Sequence, residues 1–308
     1  MFNRSIAVAA GALLGVVTLT ACATSSASPG SRLGSGKALT VAASINAWGS
    51  MLSQLGGDKV HETSIVSRPN TDPHDYEPTP ADGRTIAASR LFVENGIGYD
   101  SWAAKAVAAS GDSTRMVIDV GRLVGVAEGG NPHRWYSPTD VETVANAITA
   151  DLKMVDPADA TYFDAQRQTF ENTGLATYHQ LVHDIKTKYS GTPVGASESI
   201  FAPLSEALGL DLLTPPSFLK DISEGTDPSA ADKATIDHQI STKLIKVYVF
   251  NRQNSTPDVA AQVAAAKSAG IPVTTITETL SPVGMSFQDW QSAQLRALET
   301  ALQQATSA

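Results

Sequence analysis

The sequence predicts an α/β protein: two parallel-sheet lobes joined by one long rigid backbone helix, with a ligand cleft between the lobes. Three observations predict it. Short apolar, β-branched runs alternate with helical patterns, as parallel βαβ units require. The alternation occurs twice, up to about residue 155 and again from about residue 191. Between the two sets lies a long polar helical stretch, DPADATYFDAQRQTFENTGLATYHQLVHDIKTKYSG.

In chain order, ALTVAASI (38–45) reads as a strand and AWGSMLSQLGG as a helix stopped by glycines. HETSIVS (61–67), RLFVEN (90–95) and RMVIDV (115–120) read as strands, with DSWAAKAVAAS as a helix between the last two. DVETVANAITADLKMV (140–155) has helical spacing. Asp156 is a good N-cap, Pro157 suits a first turn and Gly191 is a good stop. A single helix over 156–190 follows, about 45 Å long at about 1.5 Å per residue, with Gly174 its one irregular residue. TPVGAS (192–197), LIKVYVFN (244–251) and PVTTIT (272–277) read as the later strands. PLSEALGL, TPDVAAQVAAAKSAG and SFQDWQSAQLRALETALQQA read as the later helices. The predicted lobes are therefore 37–155 and 191–308.

The N-terminal segment is of a different kind. Arg4 is followed by an apolar run from Ile6 to Leu19, too short and wrongly flanked for a membrane span but suited to a signal peptide over 1–21. Leu19-Thr20-Ala21-Cys22 resembles a bacterial lipobox, which implies cleavage before Cys22, lipidation of its thiol and an extracytoplasmic, membrane-anchored product. An ordinary signal peptide with a chance cysteine is the alternative. Cys22 is the single cysteine, so no disulfide within the chain and no further thiolate ligand or nucleophile is possible. Residues 22–36, small and polar after the cysteine, read as a flexible tether. The formal charge is −9 with no basic run, which argues against nucleic acid and acidic lipid headgroups as partners.

Ligands of open parallel sheets bind beyond the carboxyl ends of the strands. His74 lies in such a loop, the proline-rich TDPHDYEPTP; His133 lies in another, GGNPHRWYSP. Glu198 and Glu278 directly follow the strands at 192–197 and 272–277. Two imidazoles and two carboxylates make a plausible shell for a divalent transition metal. They are far apart in sequence, so no short-spacing rule applies and pattern alone leaves the site open. His179 and His183 stand at i, i+4 in YHQLVHD, but Gln180 occupies the place where a zinc-hydrolase motif needs Glu; they read as polar residues on a solvated helix. His61 and His238 read as surface residues. Trp48, Trp102, Trp135 and Trp290 read as packing, with Trp135 near enough to His133 to wall the site. Asp221, Glu224 and Asp227 read as a solvated loop. No Gly-x-Ser-x-Gly nucleophile motif and no phosphate loop is visible.

PNTDPHDYEPTPAD is similar to a stretch of the zinc- and manganese-type solute-binding lipoproteins of metal ABC transporters. ENGIGYDSW (94–102), NPHRWYSPTDV, DPADATYFDAQ, ESIFAPLSEALGL and TETLSP resemble later segments of that family, in the same order. The resemblance implies two α/β lobes, a rigid linking helix and one metal ion carried as cargo in the cleft to an ABC permease, by a monomer that is not an enzyme. It implies His74, His133, Glu198 and Glu278 as ligands, with Asp75 and Glu77 as groups that could orient an imidazole through its other nitrogen. Three positions depart from the family. Asn131 replaces an Asp, which is expected to lose a supporting contact; Glu198 stands where zinc-type members often have His; Glu278 stands where Asp is usual. VGVAEGG also lacks their histidine-rich insertion. Two carboxylates make a harder shell, which favours Mn²⁺ or Fe²⁺ slightly over Zn²⁺. The alternatives are a metal-dependent hydrolase that uses the same residues with Glu278 as base, or a surface adhesin with a vestigial metal site. Release of cargo is expected through the loops at Glu198 and Glu278 rather than by swinging of the lobes.

Overall fold

The computed structural model describes residues 38–69 and 73–307, apart from the side chain of Asp75. The signal peptide, Cys22 and the tether lie outside the described residues, as does the Asp75 carboxylate. Four strands build each sheet. The first holds β1 (Leu39–Ile45), β2 (Val60–Val66), β3 (Leu91–Glu94) and β4 (Met116–Asp119) in the order β2-β1-β3-β4. The second holds β5 (Pro193–Ala196), β6 (Asp211–Leu212), β7 (Val247–Asn251) and β8 (Val273–Ile276) in the order β6-β5-β7-β8. Every strand pair is parallel. The two sheets thus repeat one topology, and each reverses its winding at its first strand. The near-continuous apolar runs of β1, β3 and β7 follow from this, because helices cover both faces of a parallel sheet.

Helices follow the strands: α1 (Asn46–Gly56), α2 (Pro80–Ala88), α3 (Ser101–Ser110), α4 (Val120–Val124) and α5 (Pro138–Val155) in the first half. The linking segment is not the single uninterrupted helix that the sequence predicts. It comprises α6 (Ala160–Thr169), a π turn (Phe170–Gly174) and α7 (Ala176–Tyr189). The Leu175 N–H donates to Phe170 O at 2.8 Å, five residues back, so one extra residue is absorbed just where glycine weakens the helix. The second half adds α8 (Ala202–Leu208), α9 (Pro216–Ser223), α10 (Ala230–Ser241), α11 (Pro257–Ser268) and α12 (Phe287–Thr306). Asp221 belongs to α9 and Glu224 to its C-terminal cap, so only part of the acidic stretch is the loop expected from its Gly and Pro content.

α6 packs on α1 and α5, whereas α7 packs on α8 and α12. One apolar core runs through both lobes and the linking segment, from Trp48 and Trp135 to Tyr178, Phe287 and Trp290, all buried. Trp48 meets Trp135 edge-on at 6.2 Å between ring centres, and Tyr136 meets Trp290 at 5.6 Å. Polar contacts reinforce the join: the amides of Gln54 and Gln288 exchange hydrogen bonds at 3.1 and 2.7 Å, and Phe287 N donates to Ser50 Oγ at 2.9 Å. Among the described residues, no helix is long and apolar enough to cross a membrane.

Candidate metal centre

His74 sits on a single 3-10 turn, Pro73–Asp75, after β2. The chain beyond it is pinned by Asp82 in the first turn of α2. That carboxylate accepts hydrogen bonds from Thr79 N at 2.6 Å, Thr79 Oγ1 at 2.9 Å and Tyr76 Oη at 2.8 Å. Burial alone would raise the Asp82 pKa, but these bonds together hold it below its ordinary value. Tyr76 also packs against Trp102, 5.4 Å between ring centres. Prolines and this anchor fix where the loop points.

His133 is fully buried, three residues beyond Gly130. Its Nδ1 lies 2.8 Å from Asn131 Oδ1, which also accepts from the His133 backbone N–H at 3.1 Å. Asn131 Nδ2 in turn donates to Ser199 O at 2.7 Å, which settles which end of the amide is oxygen. An amide oxygen only accepts, so Nδ1 carries the proton and the lone pair of Nε2 faces the site. The Asp-to-Asn departure therefore does not lose the supporting contact, contrary to the expectation from sequence. Asn131 supplies it without adding a charge.

Glu198 follows β5 and Glu278 follows β8; both are fully buried. His74, His133, Glu198 and Glu278 converge, with one donor atom from each within 4.8 Å of the others. His74 Nε2 lies 3.2 Å from His133 Nε2. His133 Nε2 lies 3.3 Å from Glu278 Oε1 and 3.9 Å from Glu198 Oε1. Burial, and next the Glu278 carboxylate, push the Glu198 pKa well above its ordinary value. Two carboxylates in one dry site resist joint ionisation unless a cation is present, and a divalent ion answers that requirement.

Two supporting residues escaped the sequence reading. Asn251, buried at the end of β7, donates through Nδ2 to Glu198 Oε2 and Glu278 Oε1, both at 2.9 Å. Its own Oδ1 accepts from Gln253 N at 3.0 Å, which fixes the amide. Tyr99 Oη donates to Glu278 Oε2 at 3.0 Å from the opposite lobe, and its ring stacks edge-on with His74 at 4.7 Å. The available signal for Asn251 was a polar residue closing a buried strand at a topological switch point. Tyr99 lies in the ENGIGYDSW segment quoted for the resemblance. Its loop is held by Asp100, which accepts from Asn95 N at 2.7 Å and Gly96 N at 2.8 Å. Gly96 has φ +71°, and a Cβ there would meet Asp119 Oδ1 at 2.3 Å, so the turn requires glycine.

Trp135 does wall the site, its ring centre 5.4 Å from that of His133. Glu77 is exposed. His61, His183 and His238 are exposed, and His179 faces Glu142 and Glu171 rather than forming a pair with His183. A cavity of about 460 Å³ lies over the cluster between the lobes, lined by His74, Tyr99, Glu128, Asn131, Ser199 and Glu224.

The manganese-binding lipoprotein MntA of Halalkalibacterium halodurans is 26% identical over 183 residues, which cover 57% of this chain and 60% of that protein. The high-affinity zinc uptake system protein ZnuA of Bacillus subtilis is 24% identical over 263 residues, 78% of this chain and 81% of its own. The structure of a periplasmic metal binding protein from Candidatus Liberibacter asiaticus superimposes with a TM-score of 0.69, over 85% of this chain and 98% of that one. Its identity is 19%, so it speaks for the fold alone. The ZnuA family, described as zinc-uptake complex component A, periplasmic, has a model that matches residues 41–301, and the chain belongs to that family.

Proposed function

We propose that this protein captures one divalent transition metal outside the cytoplasm and delivers it to the permease of an ABC importer. The observation that carries this is the convergence of His74 and His133 from one lobe with Glu198 and Glu278 from the other. We assign these four as the ligands, and Asn131, Asn251 and Tyr99 as the groups that orient them. The names of relatives that bind manganese or take up zinc support the same reading. Two imidazoles with two carboxylates favour Mn²⁺ or Fe²⁺ slightly, while Zn²⁺ remains a strong competitor by the Irving–Williams order. A binding role fits better than hydrolysis. Glu278 is held by Tyr99 and Asn251 beside the imidazoles, where it serves as a ligand rather than as a base for a metal-bound water. Lipidation at Cys22 would keep the protein, which we take to act as a monomer, near its permease.

The deciding experiment is a competition titration of the demetallated protein with Mn²⁺, Fe²⁺ and Zn²⁺, followed by calorimetry and elemental analysis. One tightly bound ion per chain is expected, weakened by roughly tenfold or more in His74→Ala and in Glu278→Ala. No tight binding of any of the three ions, or affinities unchanged in both variants, would sink the assignment. The intact mass of the membrane-extracted protein tests the anchor, because Cys22→Ala should abolish a lipid adduct.

A further inference from the structure

A second cluster of metal-ligating side chains lies away from the cleft. Glu142 is on α5, Glu171 is in the π turn and His179 is on α7, and one donor atom from each falls within 4.8 Å of the others. His179 Nε2 is 3.2 Å from Glu142 Oε1, and Nδ1 is 3.8 Å from Glu171 Oε1. Arg167 organises the two carboxylates. It donates to Glu142 Oε2 through Nη2 at 2.5 Å and to Glu171 Oε2 through Nη1 at 2.9 Å, so both Oε1 atoms are left towards the imidazole.

Two further observations mark the place. Glu142 Oε1 is buried, yet it has no hydrogen-bond partner although His179 Nε2 lies 3.2 Å away. Tyr178 Oη, on a fully buried side chain, is also without a hydrogen-bond partner, and Glu142 is near enough to help burial raise its pKa. Buried polar atoms left unpaired are costly, so two together call for a reason. The site is open to solvent, with the His179 side chain 36% exposed. π turns recur at functional positions.

We propose that Glu142, Glu171 and His179 form a second divalent-metal site, one that fastens α5 to the linking segment across its π turn. One imidazole and two carboxylates with room for water match the three-ligand zinc arrangement. Arg167 serves as the outer group that orients both carboxylates. Its positive charge, and the exposure of the site, make this the weaker of the two sites.

The inference does not depend on the cleft reading, and its test separates the two. Zn²⁺ alone is titrated into the demetallated full-length protein, with uptake read by calorimetry and elemental analysis. Two equivalents are expected, the second weaker. His179→Ala and the more conservative His179→Gln should retain the first equivalent and lose the second, with unchanged melting temperatures before zinc is added. His183→Ala should keep both. A single equivalent in the wild type, or a second that survives both His179 variants, overturns the proposal. A second equivalent lost in His183→Ala instead would show adventitious surface binding and overturn it equally. Failure of the cleft assignment shows separately, as a first equivalent that His74→Ala does not weaken.

Discussion

Asn251 shows how much one uncharged residue can set in a buried candidate metal centre. Its Nδ2 touches a carboxylate oxygen of Glu198 and one of Glu278, so a single amide fixes the spacing of both. An aspartate there would add a third negative charge to a dry cluster, and an apolar residue would leave two carboxylates short of donors. Asn251→Ala should therefore weaken metal binding by about 10- to 100-fold while His74 and His133 stay in place, the range expected for loss of a group that orients ligands. Calorimetric titration with Mn²⁺ and Zn²⁺ checks this, and affinities within twofold of wild type would remove Asn251 from the site. The four ligand candidates were legible in the sequence because each lies in a loop just beyond a strand and within a motif of the resemblance. Asn251 was not, because an asparagine at the end of a strand is ordinary until the fold shows which two carboxylates meet over it. The Asn131 contact is not legible in the sequence, because an Asp-to-Asn change does not by itself reveal the geometry that lets an amide oxygen replace a carboxylate.

At the scale of elements, the turn from β3 to α3 carries Tyr99 to the site and stands on three acids, Glu94 and Asp100 buried and Asp119 half-buried. Glu94 and Asp119 are register partners at the ends of β3 and β4, and Asp100 lies under the turn. Burial first, then the charges of Asp100 and Asp119, push the Glu94 pKa from 4.5 up to about 7. A carboxyl raised in this way holds a proton in the folded state that the unfolded chain releases. Its contribution to stability is fully present below about pH 4.5 and is lost as pH rises towards 7, at up to about 1.4 kcal/mol per unit. Glu94→Gln should thus be nearly neutral at pH 5 and stabilising at pH 8, by at most about 3 kcal/mol. Urea midpoints of both proteins at the two pH values measure it, and an equal difference at both would refute it. Elements differed in legibility for identifiable reasons. Long apolar strands and capped helices stood out, whereas α2 was hidden in PTPADG, which reads as a proline-rich turn although Thr79 and Asp82 form a capping box. The π turn had only Gly174 as a signal, because a shift in backbone hydrogen bonding leaves little mark on composition.

For the whole molecule, the continuous core decides how cargo leaves. Trp135 and Tyr136 of the first lobe pack against the helix that bears Trp290, and Gln291 Nε2 donates to Trp135 O at 3.0 Å. Parting the lobes would uncover these rings. A large aromatic buries about 150–250 Å², worth about 4–6 kcal/mol at about 25 cal/mol per Å². Exposing even one would leave the open form at about one molecule in a thousand or fewer. Local movement is far cheaper: Glu198 and Glu278 sit in short loops, and the cavity of about 460 Å³ reaches the cluster at His74 and borders Ser199, the residue after Glu198. Metal should therefore slow amide exchange, within the first minutes, around 197–201 and 277–281. Over the same interval α12, which carries the contacts to the first lobe, and α7 packed against it should exchange equally slowly with and without metal. Exchange by mass spectrometry at two metal concentrations resolves the alternatives. Protection of α7 and α12 on the fast timescale would reveal swinging lobes, and unchanged exchange in the two loops would leave the glutamates out of release altogether.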